Sequence, residues 1–328
     1  MNNVLPLLPY EKGKITPYKQ RMMPTTTASQ ARLQFFQPTR NPVYCTRKIE
    51  TEWGRAEITG KLGVVHASCL ESIMCFALDK RGLENGGVQI LVDPYDIRRT
   101  LGEGARESRL LVPAKRHPNR TRRRISSGGY SSSAIRSLIT DLTACAFSAT
   151  IKTRDGDQWV CRPLGLVVGV ETSEATRTNP GTGETRRMWR VTLGPAGVSL
   201  FGDDLALHYD PRPLAALRSG AAAAVARWCL THRESPPAGW KLNTVLEAVG
   251  AETEGAVGRQ RRLEVRREAE GLRACGLVVQ NDRIYTEGVA PTPTSVVCTP
   301  TKTDDVACTP TSVACTPTSL GVPRNLQI

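Results

Sequence analysis

The chain has 328 residues, too many for one small domain and enough for two that each bury a core. Lysine and arginine outnumber aspartate and glutamate by 44 to 31, and the resulting formal charge of +13 favours a polyanionic partner. No stretch approaches the roughly 18 apolar residues that span a bilayer, and the opening MNNVLPLLPYEKGK lacks a basic n-region and a full apolar h-region, so the chain reads as cytoplasmic with no membrane partner.

Residues 1–43 are rich in proline, threonine and polar residues with little periodicity, which predicts a flexible arm. A strand-like stretch follows from Val43 to Glu57. A helix from Val64 to Leu78 then places Leu70, Ile73, Met74 and Ala77 on one face, with Trp53 as a packing partner. Val88–Val92 reads as a short strand. Asp93 caps a helix that starts at Pro94, turns Ile97 and Leu101 inward and stops at Gly102. The segment 113–125 holds Lys115, Arg116, Arg120, Arg122, Arg123 and Arg124 with no acidic residue. Such a run is usually just a solvated face, but here it directly precedes a helix start suited to phosphate.

That helix spans about Ser131 to Ala146, with Ile135, Leu138, Ile139 and Leu142 as its apolar stripe. Ser131, Ser132 and Ser133 offer hydroxyls at the positive end of the helix dipole. Ser133, Arg136, Ser137 and Thr140 point outward as candidate base readers; the competing reading is a surface helix with an ordinary serine cap. Strand patterns on either side of Arg154-Asp-Gly-Asp157 predict a β-hairpin that would serve as a wing, with Arg154 near its tip. A second hairpin, Leu166–Val170 against Met188–Leu193, encloses a polar loop at 172–187. The stretch 203–219 divides two blocks, because Asp210-Pro-Arg-Pro213 is expected to resist helix and sheet alike.

The second block repeats the plan. An alanine-rich helix, 221–231, packs through Val225, Trp228 and Cys229. After the Pro236–Gly239 break, 241–249 turns Leu242, Val245, Leu246 and Val249 inward, and Gly250 closes it. From 257 to 275, Val265, Ala269 and Leu272 form an inner stripe, while Arg259, Gln260, Arg261, Arg262, Arg266 and Arg267 crowd the N-terminal half. Arginine can hydrogen-bond guanine twice and glutamine can do so to adenine, so this helix suits a major groove. Glu264, Glu268 and Glu270 leave open a merely solvated, salt-bridged helix. Leu277–Val279 and Arg283–Thr286 form a second wing, with Arg283 in reach of a phosphate.

The pattern therefore predicts an α+β protein with tandem winged helix-turn-helix domains: an arm at 1–43, a first domain with a long β-wing at 44–205, a second at 206–288, and a disordered tail at 289–328. In that tail the unit CTPT recurs at Cys298, Cys308 and Cys315. The ten cysteines include no Cys-x-x-Cys pair and only four histidines are present, so buried thiols are favoured over a metal site. There is no phosphate-binding GxxxxGK[ST] loop, no paired-histidine nicking site and no two-metal carboxylate cluster. The expectation is a protein with no catalytic residues and no cofactor.

The stretch Glu52-Trp-Gly-Arg-Ala-Glu-Ile-Thr-Gly-Lys-Leu-Gly63, followed by an apolar helix, Ile90-Leu-Val-Asp-Pro-Tyr95 and two winged-helix patterns, resembles the RepA-type, broadly TrfA-like, initiators of iteron plasmids. The resemblance covers about residues 43–288. It implies binding to directly repeated double-stranded origin DNA, melting of an adjacent A·T-rich segment, recruitment of a host helicase, and a balance between homodimers and DNA-binding monomers. A winged-helix transcriptional repressor would share the DNA-reading parts, and a rolling-circle nicking enzyme would need histidines this chain lacks. In the arm, Gln30, Leu33, Phe35 and Phe36 look like the QxxLxF peptide that docks on the bacterial sliding clamp; the alternative is that they pack on the first domain as an extra strand.

Overall fold

Where apolar residues recur with helical or alternating period, the chain forms the corresponding element, and the computed structural model describes residues 23–110, 130–153, 156–162, 165–178, 183–202 and 206–287. In chain order these are β1 (Thr26–Thr27), α1 (Ala28–Arg32), β2 (Cys45–Thr51), β3 (Gly54–Gly60), α2 (Val64–Cys75), β4 (Asp79–Gly82), β5 (Val88–Val92), α3 (Pro94–Leu110), α4 (Ser132–Ala144), β6 (Ala146–Thr153), β7 (Gly156–Arg162), β8 (Val167–Thr178) and β9 (Thr185–Leu193). They continue with α5 (Pro195–Gly202), β10 (Ala206–Leu207), α6 (Pro211–Ala216), α7 (Gly220–Cys229), β11 (Trp240–Lys241), α8 (Leu242–Ala248), α9 (Gly255–Arg267), α10 (Ala269–Ala274), β12 (Leu277–Gln280) and β13 (Arg283–Thr286).

The same topology occurs twice. In the first unit, α2, α3 and α4 are accompanied by a sheet in which β5, the strand between the first two helices, pairs with β9, which pairs with β8. In the second, α7, α8 and α9 accompany a sheet in which β11, again between the first two helices, pairs with β13, which pairs with β12. Three helices and three strands paired in this order make a winged helix, with β4 adding a fourth strand beside β5 in the first unit, so the chain is an α+β protein with two of them in tandem.

The first wing is not where the sequence pattern put it. β6 and β7, the hairpin around Arg154, continue the β2–β3 hairpin into a four-stranded antiparallel sheet of order β2-β3-β6-β7. The wing is β8–β9, and the polar loop expected at 172–187 is largely the extended part of these strands, with a bulge between Thr172 and Thr176. Hairpin signals mark a turn without naming the sheet that its strands join, which depends on long-range pairing. Two breaks also read differently. α3 continues through Gly102 to Leu110, since one helical glycine costs only about 1 kcal/mol. Asp210-Pro-Arg-Pro213 starts α6 instead of breaking the chain: Asp210 accepts the Arg212 N–H at 3.0 Å and Pro211 occupies the first turn, where no amide is needed.

Residues 23–42 are not a flexible arm. β1 pairs with β10, and Leu33 and Phe35 are fully buried, with the Phe35 ring 5.2 Å edge-on from Phe147. Arg47 donates to the carbonyls of Gln34 and Phe35 at 2.7 and 2.6 Å, and the Gln34 amide donates to the Ala248 carbonyl at 3.1 Å, capping the end of α8. The segment is a strap that touches both winged helices. Burying a leucine and a phenylalanine is worth roughly 2–3 kcal/mol each, which exceeds what a solvated peptide would keep.

The two units share one continuous core, from Leu33 and Phe35 through α2 to Val245, Val265 and Leu272, and the described residues form one compact unit. At their junction, Arg227 of α7 makes a two-pronged pair with Glu71 of α2, at 2.6 and 2.9 Å, and donates to the Ser68 hydroxyl at 2.8 Å; both charged side chains are buried. Tyr209 donates to the same Glu71 carboxylate at 2.8 Å, and burial pushes its phenol well above the usual range.

Candidate nucleic-acid interface

α9 is held against the body by Gly258 and Val265, with Leu272 of α10 continuing the stripe. Gly258 is required by close approach: a Cβ there would lie 2.0 Å from the Thr253 carbonyl oxygen, in the turn that joins α8 to α9. At about 100° per residue, the opposite face carries Ala256, Gln260, Leu263 and Arg267, with Arg259 on its flank, and all five are exposed.

The arginines that looked equivalent in sequence separate into two groups. Arg259 and Arg267 make no ion pair or side-chain hydrogen bond among the described residues, so their guanidinium groups are available to a ligand. Arg261 pairs with Glu264 at 3.0 Å, Arg262 donates to Asn243 and to the Thr253 carbonyl at 3.0 Å each, and Arg266 grips Asp282 in the β12–β13 turn, with its Nε at 2.8 Å. Arg262 and Arg266 brace the helix against the turn before it and the hairpin after it, while the Arg261 pair lies within the helix. Arg283 is partly committed, donating through Nη1 to the carbonyls of Ala238 and Gly239 at 2.8 and 3.2 Å. Gln260 rests on Glu264 at 3.3 Å.

The acidic residues on this helix do not simply neutralise it. Glu268 accepts the backbone N–H groups of Arg218 and Ser219 at 3.1 and 3.2 Å, and Glu264 accepts the Ser219 hydroxyl at 3.2 Å. Ser219 in turn caps α7 through the Ala222 N–H. Two carboxylates therefore face the positive end of α7, with Glu264 shared between Ser219, Arg261 and Gln260.

The equivalent helix of the first unit, α4, is quieter. Ser131 caps it, accepting the Ala134 N–H at 3.1 Å and sharing a hydrogen bond of 2.8 Å with Ser133. Ser132, Ser133, Ser137 and Thr140 are exposed, the last donating back to the Arg136 carbonyl. Arg136 folds onto the wing, 4.5 Å over the Trp189 ring and 2.9 Å from the Thr172 hydroxyl. The wing itself is anchored on the start of α3: Arg186 makes a two-pronged contact with the buried Asp93, at 2.8–3.0 Å, and Arg177 reaches Asp93 and Asp96. Burial, and then the neighbouring Asp93 charge, raise the Asp96 carboxyl above the usual carboxylate range, while hydrogen bonding to Asp93 raises Arg186. Arg187 and Arg190 of β9 are exposed on this wing and were not singled out in the sequence.

Lys115, Arg116, Arg120, Arg122, Arg123, Arg124 and Arg154 lie outside the described residues, as do residues 1–22 and the CTPT tail. The clamp-docking expectation meets a direct obstacle, because Leu33, Phe35 and Gln30 are buried and Phe36 is half-buried. Of the cysteines, Cys69, Cys75, Cys145 and Cys229 are buried, and burial pushes the Cys69 thiol up to about 12. Among the described residues no group of three or more His, Cys, Asp or Glu is placed to hold a metal ion, and no helix is long and apolar enough to cross a membrane.

No family model matches this chain, and no curated protein matches it. Among solved structures, the chain is similar to domains 2 and 3 of RctB, at 13% identity and a TM-score of 0.47, covering 79% of this chain and 98% of that one.

Proposed function

We propose that this protein binds duplex DNA in a sequence-specific manner and initiates replication at directly repeated origin sequences, with no catalysis of its own. The observation that carries the DNA reading is the outward face of α9, where Arg259, Gln260 and Arg267 stand exposed while the adjacent glutamates are turned to α7. A braced helix with free arginines on one face meets what a major groove offers, and the formal charge of +13 supplies the attraction to phosphate. The first winged helix, with its hydroxyl-lined α4 and the wing residues Arg187 and Arg190, gives a second point of contact. The initiator assignment, the repeated sites and the recruitment of a host helicase rest on the sequence resemblance at Glu52–Gly63 and Ile90–Tyr95, and place the protein with its plasmid in the bacterial cytoplasm. Clamp docking through Leu33 and Phe35 is not part of this reading.

The test selects sites from a pool of random duplexes with the full chain, then places the gene and its flanking DNA on a fragment with no other origin. The expected result is an enriched sequence that recurs as direct repeats near the gene, and autonomous replication of the fragment. Recovery of no sequence removes the DNA reading; an enriched promoter site without replication identifies a repressor instead. Arg267→Ala is expected to weaken specific binding by about 1–3 kcal/mol, and Arg261→Ala to act mainly on stability, through its Glu264 partner.

A further inference from the structure

α9 carries an apolar feature that its charge does not explain. Leu263 and Val257 are 37% and 44% exposed, two of the six exposed large hydrophobic residues among the described residues, and neither packs against the core. Leu263 lies on the outward face between Gln260 and Arg267, one turn from each, opposite the buried Gly258 and Val265. Exposing a leucine at the centre of a basic, otherwise polar face brings no folding benefit, so its partner is sought in whatever that face contacts.

Resting on the DNA reading above, we propose that Leu263 packs on the C5 methyl of a thymine and that Gln260 hydrogen-bonds an adenine beside it, so that α9 selects A·T pairs at the centre of its contact. The thymine methyl is the apolar group that base edges present in the major groove, and the N6 and N7 atoms of adenine are the pattern a glutamine amide matches in two hydrogen bonds. The spacing agrees. Three residues along a helix rise about 4.5 Å, and successive base pairs are about 3.4 Å apart, so Gln260 and Leu263 address the same pair or neighbouring ones. The flanking Arg259 and Arg267 supply charge complementarity to phosphates or guanine. Gln260 is free to turn outward, because Glu264, its present partner, stays held by Arg261 and the Ser219 hydroxyl.

The test uses the full chain and the duplex recovered by selection. Each thymine in turn is replaced by uracil, which removes one methyl group and leaves every hydrogen-bonding group in place, and affinity is measured for the unaltered protein and for Leu263→Ala. One thymine position is expected at which uracil weakens binding by about fourfold, the effect of one buried methyl; Leu263→Ala binds more weakly to the thymine duplex and becomes indifferent to uracil there. Gln260→Ala should lose its preference for adenine at the same or the adjacent pair, by about tenfold or more. Leu263 is exposed, and an unchanged melting temperature of Leu263→Ala shows that the variant folds. A site without thymine, uniform tolerance of uracil, or a uracil effect that persists in Leu263→Ala overturns this inference and leaves the DNA reading standing. Recovery of no enriched sequence at all overturns both.

Discussion

Arg227 and Glu71 show what single residues do at the junction of the two winged helices. Each is buried, each satisfies the other, and Tyr209 and Ser68 complete the set. Removing one partner leaves a buried charge uncompensated, so Arg227→Met or Glu71→Leu alone should cost about 3–5 kcal/mol in denaturant melts, and the double replacement distinctly less than their sum. His66 gives a pH dependence. Its Nδ1 accepts the Gly63 N–H at 3.1 Å, its Nε2 faces Asp141 of α4 at 3.1 Å, and burial holds its pKa below the ordinary value; His232, beside Trp228 and Arg32, is lowered mainly by burial as well. The unfolded chain therefore takes up these protons first. Stability is complete above the unfolded value of about 6.5 and falls as pH drops from there toward the folded values. Thermal melts between about pH 7 and pH 5 should show this decline, and His66→Gln should flatten it; a melting temperature constant over that range would contradict the assignment. None of these pairings was legible in the sequence, because Glu71 and Arg227 sit 156 positions apart and nothing local marks a charged residue as buried.

At the scale of elements, the helices were largely readable and the sheets were not. The apolar spacing in α4 and α8 points inward as expected, since a helix buries a stripe fixed by local period, whereas α2 and α7 are buried almost all round. Sheet membership depends on partners far away, which is why the pattern assigns the wing to the hairpin around Arg154 and, of the true wing β8–β9, reads the base as a hairpin and the extended part at 172–187 as a loop. Leu263 was detectable in principle: it stands two positions before the buried Val265, about 200° around the helix, and so cannot share its face. Gly258 tests the helix-turn-helix directly. Gly258→Ala forces a methyl group against the Thr253 carbonyl, so the variant should lose about 1–3 kcal/mol of stability and bind DNA more weakly, as α9 shifts against α8. The β12–β13 turn is a second such point: Asn281 and Asp282 both adopt positive φ, at 48° and 58°, and Asp282 holds Arg266. Nothing local separates Arg266 from Arg267, yet one braces the hairpin and the other faces outward.

Across the whole molecule, the tandem units behave as one cooperative body. A core that runs from the strap through both units, with a buried ion pair across the junction, predicts a single unfolding transition by calorimetry with matching calorimetric and van't Hoff enthalpies. Phe35→Ala, in the strap, should lower the stability of the whole by about 3–5 kcal/mol; two resolved transitions, or a strap variant that melts only one part, would show separate domains. Composition indicated two blocks and an arm, and what it could not convey is that strap residues such as Arg32, Gln34 and Phe35 are tied to partners at residues 231, 248 and 147.

The pairing of β1 with β10, and of the Gln34 amide with the end of α8, has a consequence for synthesis. The strap is translated well before the segments it docks on, so a nascent chain carries Leu33 and Phe35 incompletely covered until β6, β10 and α8 have all been made. Chains stalled before α7 should therefore be cut by protease within the strap, whereas released full-length chains should resist.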